Sequence, residues 1–463
     1  MKKGLLTALI FVSILTSSFA AVYTWTWTGS NGLNYADAGN WSISPAADAN
    51  TAAMSYPRNL TGNTSVVVFP SAPAGIIELP AVTSFFLAEM RVESGTVSIT
   101  KSASGGIDVG FDGSGLNISS GARLNVICNA QGIRLLMTAT ANNFKINGIL
   151  DLTGSGSSSN PAKLEKQNFI SPTCTVGSDG KIIMSGLNAS IVSTTNTSLI
   201  FSSGSSLDIT RNGGTIPSAD YRAGSTINVT GATTQAPSFS NSSNTYACDI
   251  VWNNPSQTAT TFAAQWSLST SFITNFTGKF TMVAGYLRFI GGGLANEIFG
   301  GFDVQGGTLE LGFAGTPNAT PTVLNDVNVS GGTFRVSSSD FNGNIDLSVN
   351  GSLNQTGGTI NIAPGTGRGN LIVKGNVNQT SGTITESGTS SNSRLSFGGG
   401  NAQNASFSSA LGGDALSVEI NKSANDVTLL TPLSIPKDLI LTSRNIILGA
   451  NTLTVGNLAT GGS

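Results

Sequence analysis

Residues 347–370 read LSVNGSLNQTGGTINIAPGTGRGN, and residues 371–394 follow without a gap as LIVKGNVNQTSGTITESGTSSNSR. Leu347, Val349, Gly351, Asn354, Gln355, Thr356, Gly358, Thr359 and Ile360 recur 24 residues later as Leu371, Val373, Gly375, Asn378, Gln379, Thr380, Gly382, Thr383 and Ile384. Apolar and small polar residues alternate inside each copy, which is the period of a strand with one buried face. A unit this short buries that face only by stacking on its neighbours. The expected fold is all-β, a right-handed parallel β-helix.

The pattern extends backward. Gly-Gly-Thr occurs at Gly306, Gly331 and Gly357, then Ser381-Gly382-Thr383 follows, so the threonines lie 25, 26 and 24 residues apart. The strands LEL, FRV, INI and ITE come after them, which places Ile360 over Phe334 and under Ile384. Further upstream, Gly-led strands begin at Gly95, Gly121, Gly148, Gly180, Gly204 and Gly224, spaced 26, 27, 32, 24 and 20. Coils whose turns vary in length give such scatter, whereas a hairpin sandwich repeats at roughly 8–12 residues. About twelve coils at ~4.8 Å would form a rod of roughly 60 Å.

Residues 239–290 are rich in aromatics and break the cadence, yet GKFTMV and YLRFI still alternate, so coils with larger interiors are expected there. At the start, Tyr23, Trp25 and Trp27 alternate along one strand and Trp41 closes the following loop. Such regular spacing favours a hydrophobic N-terminal cap over an aromatic sugar-binding platform.

Composition bounds the chemistry. Only 10% of the 463 residues are charged, against roughly a quarter in ordinary domains. Lys2 and Lys3, the apolar residues 5–15 and the small-x-small Ser18, Phe19 and Ala20 read as a secretory signal peptide over 1–20. Without Lys2 and Lys3 the chain has 22 − 2 = 20 basic against 24 acidic residues. That weak balance offers nothing to nucleic acid, and no segment is apolar over the ~20 residues of a membrane span.

There is no histidine, which removes Ser-His-Asp, Cys-His and imidazole–metal chemistry. The three cysteines, Cys128, Cys174 and Cys248, are read as buried thiols, with one bridge plus one free thiol as the alternative. The segments are a cap and entry over 21–94, coils over 95–410 and terminal β coils over 411–463, where the chain is expected to be truncated.

YACDIVWNNPSQT, NQTGGTINI, NQTSGTITESG, VEINKSANDVTL, LILTSRNIILGANTLTVG and the opening WTG…GNW resemble segments of a known group. These are the secreted adhesin-like β-helix proteins of type IX-secreting, Bacteroidetes-type Gram-negative bacteria. The resemblance covers most of the chain and implies an exported or surface location. It carries no catalytic, cofactor or metal residues. Such proteins usually end in a β-sandwich sorting domain, which is not recognisable here.

Candidate chemistry is weighed against structure residue by residue. Asn328, Asn354 and Asn378 fall at one repeat offset, as do Ser330, Thr356 and Thr380, and stacked amides and hydroxyls build ladders. Asp346, Asn370 and Arg394 share another offset. Asp108 and Asp112, beside a Gly-rich turn, offer oxygen ligands for Ca²⁺ but lack the alternating acidic pattern of a calcium loop. Asp208 with Arg211 is the best acid–base pair, Asp220 and Asp303 are isolated, and Glu386 stands where Ile362 stood one repeat earlier. The expected function is therefore a secreted or cell-surface structural or adhesive protein without enzymatic activity, cofactor or metal; its partner is not specified by the sequence, a glycan or other cell-surface ligand being the candidate. The alternative is a carbohydrate-active β-helix, a polysaccharide lyase or hydrolase.

Overall fold

The computed structural model describes residues 21–48, 54–60, 63–129, 131–138, 143–156, 161–166, 173–192, 198–240, 245–257, 265–268, 275–291, 297–312, 318–338, 343–389, 392–456 and 460–461. The proposed signal peptide over 1–20 lies outside them, as do Phe262 and Phe272 of the aromatic stretch. The described chain is almost entirely β-strand and coils into a parallel β-helix.

The Gly-led strands are what hold it in register. Val97 pairs with Leu124, Leu124 with Leu150, and the column continues through Ile182, Leu207, Ile227, Ile250, Phe280, Phe302, Val327, Leu353, Val377 and Ala405 to Leu429. Every member is at most 2% exposed. All six Gly-led strands enter this one ladder. Its spacing falls to 20 residues (Leu207 to Ile227) and rises to 32 (Leu150 to Ile182), so turns absorb the difference while register is kept. Burying each Val, Leu or Ile stabilises by roughly 1.5–3 kcal/mol.

A second ladder faces it across the interior. Phe69, Val92, Ile118, Ile146, Val176, Phe201 and Tyr221 stack in order. Tyr246, Phe276, Phe299, Val323, Val349, Val373, Phe397, Ile420 and Leu441 continue the series. Tyr221 and Tyr246 join the two halves with stacked rings 5.3 Å apart. A third face carries Leu309, Phe334, Ile360 and Ile384 directly over one another, the stacking read from the Gly-Gly-Thr cadence. Parallel pairing also reaches upstream of Gly95, through Ile76–Glu78 and Ala21–Trp27.

The second glycine of each Gly-Gly-Thr has a physical reason. Gly307, Gly332 and Gly358 have φ of 62°, 61° and 64°, the left-handed region. A Cβ on Gly358 would lie 2.6 Å from the carbonyl oxygen of Gly332 in the coil before. Backbones meet too closely there for any side chain.

The aromatic residues at the start form the cap. Trp41–Ser44 pairs antiparallel with Ala21–Trp27 and so ends the parallel ladder on that side. Tyr23, Trp25, Trp27 and Trp41 are all buried. Trp27 meets Trp41 edge-on at 4.9 Å, and the Trp41 indole donates to the Tyr35 carbonyl at 3.0 Å. In the last coil, by contrast, Leu441, Ile446 and Leu453 are only half-buried.

Candidate functional site

Outward positions of the strands carry the charges, and the register decides which meet. Asp108 and Arg134 are rung neighbours. Arg134 grips Asp108 with two parallel bonds, Nη2 to Oδ2 at 2.5 Å and Nε to Oδ1 at 2.8 Å, and reaches Glu165 at 3.2 Å. The Asp108 hydrogen bonds, then its charge and that of Glu165, hold the Arg134 guanidinium above its ordinary pKa. Lys163 also lies 2.6 Å from Glu165. Asp112 accepts instead from the Asn59 amide at 2.5 Å. Both Asp108 oxygens are therefore engaged, and Asp112 turns to a different partner. Among the described residues no group of three or more His, Cys, Asp or Glu side chains is placed to hold a metal ion.

Asp208 and Arg211 do not meet. Asp208 pairs with Lys181 at 2.8 Å and accepts from the Asn228 amide at 2.7 Å. Arg211 lies past the end of strand Ser206–Ile209 and donates Nη1 to the Leu187 carbonyl of the coil before. Asp151, one ladder position from Asn125, is held by Arg123 at 2.5 Å and by the Ser185 hydroxyl at 2.7 Å. Asp303 accepts from Gln305 at 3.1 Å, and Asp220 pairs with Arg222 at 3.1 Å. Exposed pairs of this kind contribute ~0–1 kcal/mol each.

The amide row forms a continuous ladder. Asn354 donates to Asn328 and Asn378 donates to Asn354, each at 2.9 Å. The hydroxyl row does not, because a bulge after Gln355 sets Thr356 opposite Ser381 instead of Thr380. Asp346, Asn370 and Arg394 do stack. Their bonds run elsewhere: Asp346 to Arg368 at 2.7 Å, Asn370 to the Ser396 hydroxyl at 2.7 Å, and Arg394 to Glu419 at 3.1 Å.

Two buried acids, Glu310 and Glu297, escape a reading based on repeat offsets. Glu310 is fully buried, with Oε1 2.7 Å from Arg288 Nε and Oε2 2.8 Å from Arg335 Nη1. The Tyr286 hydroxyl donates to the same carboxylate at 3.2 Å, and burial, reinforced by the Glu310 charge, pushes Tyr286 up to about 12. A signal existed: Arg288, Glu310, Arg335 and Asn361 occupy one column of YLRFI, LEL, FRV and INI. Glu297 is buried, and burial, opposed by its own backbone N–H, raises it from 4.5 to about 7. Glu386 is also buried. Burial raises it too, opposed by backbone hydrogen bonds at Gly388 and Ala415.

The three cysteines are free and buried, and burial pushes Cys128 up to about 11 and Cys174 up to about 12. Such thiols are poor nucleophiles at neutral pH. Among the described residues no helix is long and apolar enough to cross a membrane. No family model, curated protein or solved structure matches the chain.

Proposed function

We propose that this chain is a secreted or cell-surface structural and adhesive β-helix protein without enzymatic activity. The observation that carries the reading is how its outward acids are spent. Asp108, Asp151, Asp208, Asp346 and Glu419 are each held by an Arg or Lys. A glycosidase needs two carboxylates flanking one sugar bond, one to donate a proton and one to attack or activate water. Acids bound to cationic partners are poor candidates for either role. Glu297 and Glu386, whose raised pKa values would suit proton transfer, are buried. What recurs from coil to coil is apolar, Gly, Asn and Thr, the residues that build the rod.

Export is supported by the charged and apolar pattern of residues 1–20, and the surface location by the likeness of the coil motifs to type IX-secreted adhesins. The activity test is incubation of the folded chain with polygalacturonate and alginate, with and without chelator, while reducing ends and unsaturated products are followed. The expected outcome is no release above a heat-unfolded control. Turnover that tracks folded protein would replace this reading with the lyase or hydrolase alternative.

A further inference from the structure

One side of the array is interrupted among the described residues. Among the described residues the ladder through Ile107–Ile118, Ile133–Met137 and Ala162–Lys166 ends at Ser190–Val192, and Thr215–Ile216 pairs only with Ser238–Phe239. Across this gap a surface cleft of about 490 Å³ opens, with Leu187, Ser190, Arg211, Asn212 and Gln235 among its lining. Leu187 is 60% exposed and Val192, also in the cleft, 38%.

Arg211 is the unusual group. Its Nη1 is fixed on the Leu187 carbonyl, and its guanidinium lies across Gly214, where a Cβ would come 2.1 Å from Nη2. Its Nε is buried and has no hydrogen-bond partner among the described residues. Among the described residues no carboxylate pairs with it, whereas its cleft neighbour Lys163 is already engaged by Glu165. Burial lowers the Arg211 pKa, the mark of a cation partly stripped of water. Desolvating a charge without a counter-ion is costly, and a carboxylate would supply the missing opposite charge. The amides of Asn212 and Gln235 and the Ser190 hydroxyl suit sugar hydroxyls, while Leu187 and Val192 offer an apolar surface to a ring's C–H face.

We propose that this cleft binds an acidic sugar unit of a glycan, its carboxylate seated on Arg211. The proposal rests on the adhesive, non-catalytic reading and names the ligand class and the site.

The test is calorimetric titration of the full chain with tetragalacturonate, with its methyl ester, with acetate and with tetraglutamate. The acid oligomer is expected to bind and the ester to bind at least about tenfold more weakly, in keeping with loss of a charged hydrogen bond. Arg211→Gln should cause a similar loss at an unchanged thermal midpoint. Gly214→Ala should do the same by displacing the guanidinium without changing charge, and Arg222→Gln should bind as the parent does. Should Gly214→Ala fail to fold, Arg211→Gln decides alone. Equal binding of acid and ester, retained affinity in Arg211→Gln, no binding of any oligosaccharide, or full competition by acetate or tetraglutamate would overturn the site. Cleavage of the oligomer during the titration would instead overturn the non-catalytic reading.

Discussion

Coils 344–397 and coils 245–302 solve one packing problem in different ways. In the first, Val349, Val373 and Phe397 stack at intervals of 24 residues, and the polar rows repeat with them. In the second, the same ladder passes from Tyr246 to Phe276 to Phe299, intervals of 30 and 23. Rings fill the interior there: Phe276 stacks on Phe299 at 6.0 Å, and Trp266 meets Trp252 edge-on at 5.4 Å. Both stretches belong to the same two columns. The fold therefore keeps inward register and lets coil length and side-chain volume vary.

If aromatic volume replaces strict repetition in coils 245–302, the largest single loss should come from removing a ring there. Trp266 is buried against Phe239, Phe280 and Phe289, and its indole donates to the Pro237 carbonyl at 2.8 Å. Trp266→Ala should cost about 3–5 kcal/mol in denaturant unfolding. A loss below ~1 kcal/mol would show that these rings do not hold the coils.

The same region contains an acid that opposes its own burial. Glu297 titrates near 7 in the folded chain and near 4.5 unfolded. The folded state thus holds the extra proton between those values. Below about 4.5 both states are neutral and the penalty vanishes; it grows as pH rises and is complete above about 7. Glu297→Gln should remove that slope and raise stability relative to the parent by about 3 kcal/mol above pH 7. An unchanged slope would place the titration elsewhere.

In coils 344–397 the inside and outside amides should differ. Gln379 is buried and donates to Gln355 at 3.1 Å, whereas Asn354 stands half-buried in the outer row. Gln379→Leu should cost ~1–3 kcal/mol by leaving a buried acceptor unpaired. Asn354→Ala should cost less than about 1 kcal/mol. Equal losses in thermal unfolding would remove the distinction.

The parts legible in the sequence were those where Gly punctuates an alternating strand. GILDL and GKIIM align by their glycines and stack in that register, while GSSLDI joins the same ladder one residue further from its glycine, with Leu207 opposite Ile182. Strands such as NFKI at Asn143–Ile146 and TCTV at Thr173–Val176 have no such punctuation, although they continue the second ladder. Polar letters misled in another way. Gln355, Gln403 and Lys422 are polar yet buried, and Lys422 donates to the Asn401 carbonyl and the Gln403 amide oxygen. Asp208 and Arg211 look adjacent in the sequence, but a strand end separates them and each finds its partner in another coil. Sequence spacing sees neighbours along the chain, whereas these charges are paired across rungs.

The claim that one coil is a separable unit is tested most directly by deleting residues 371–394. Asn370 stacks on Arg394 and Leu371 on Leu395, so the deletion sets Leu395 where Leu371 stood. The shortened chain should unfold in one cooperative transition in denaturant, having lost a single rung of ~4.8 Å. Loss of that transition would contradict the coil assignment.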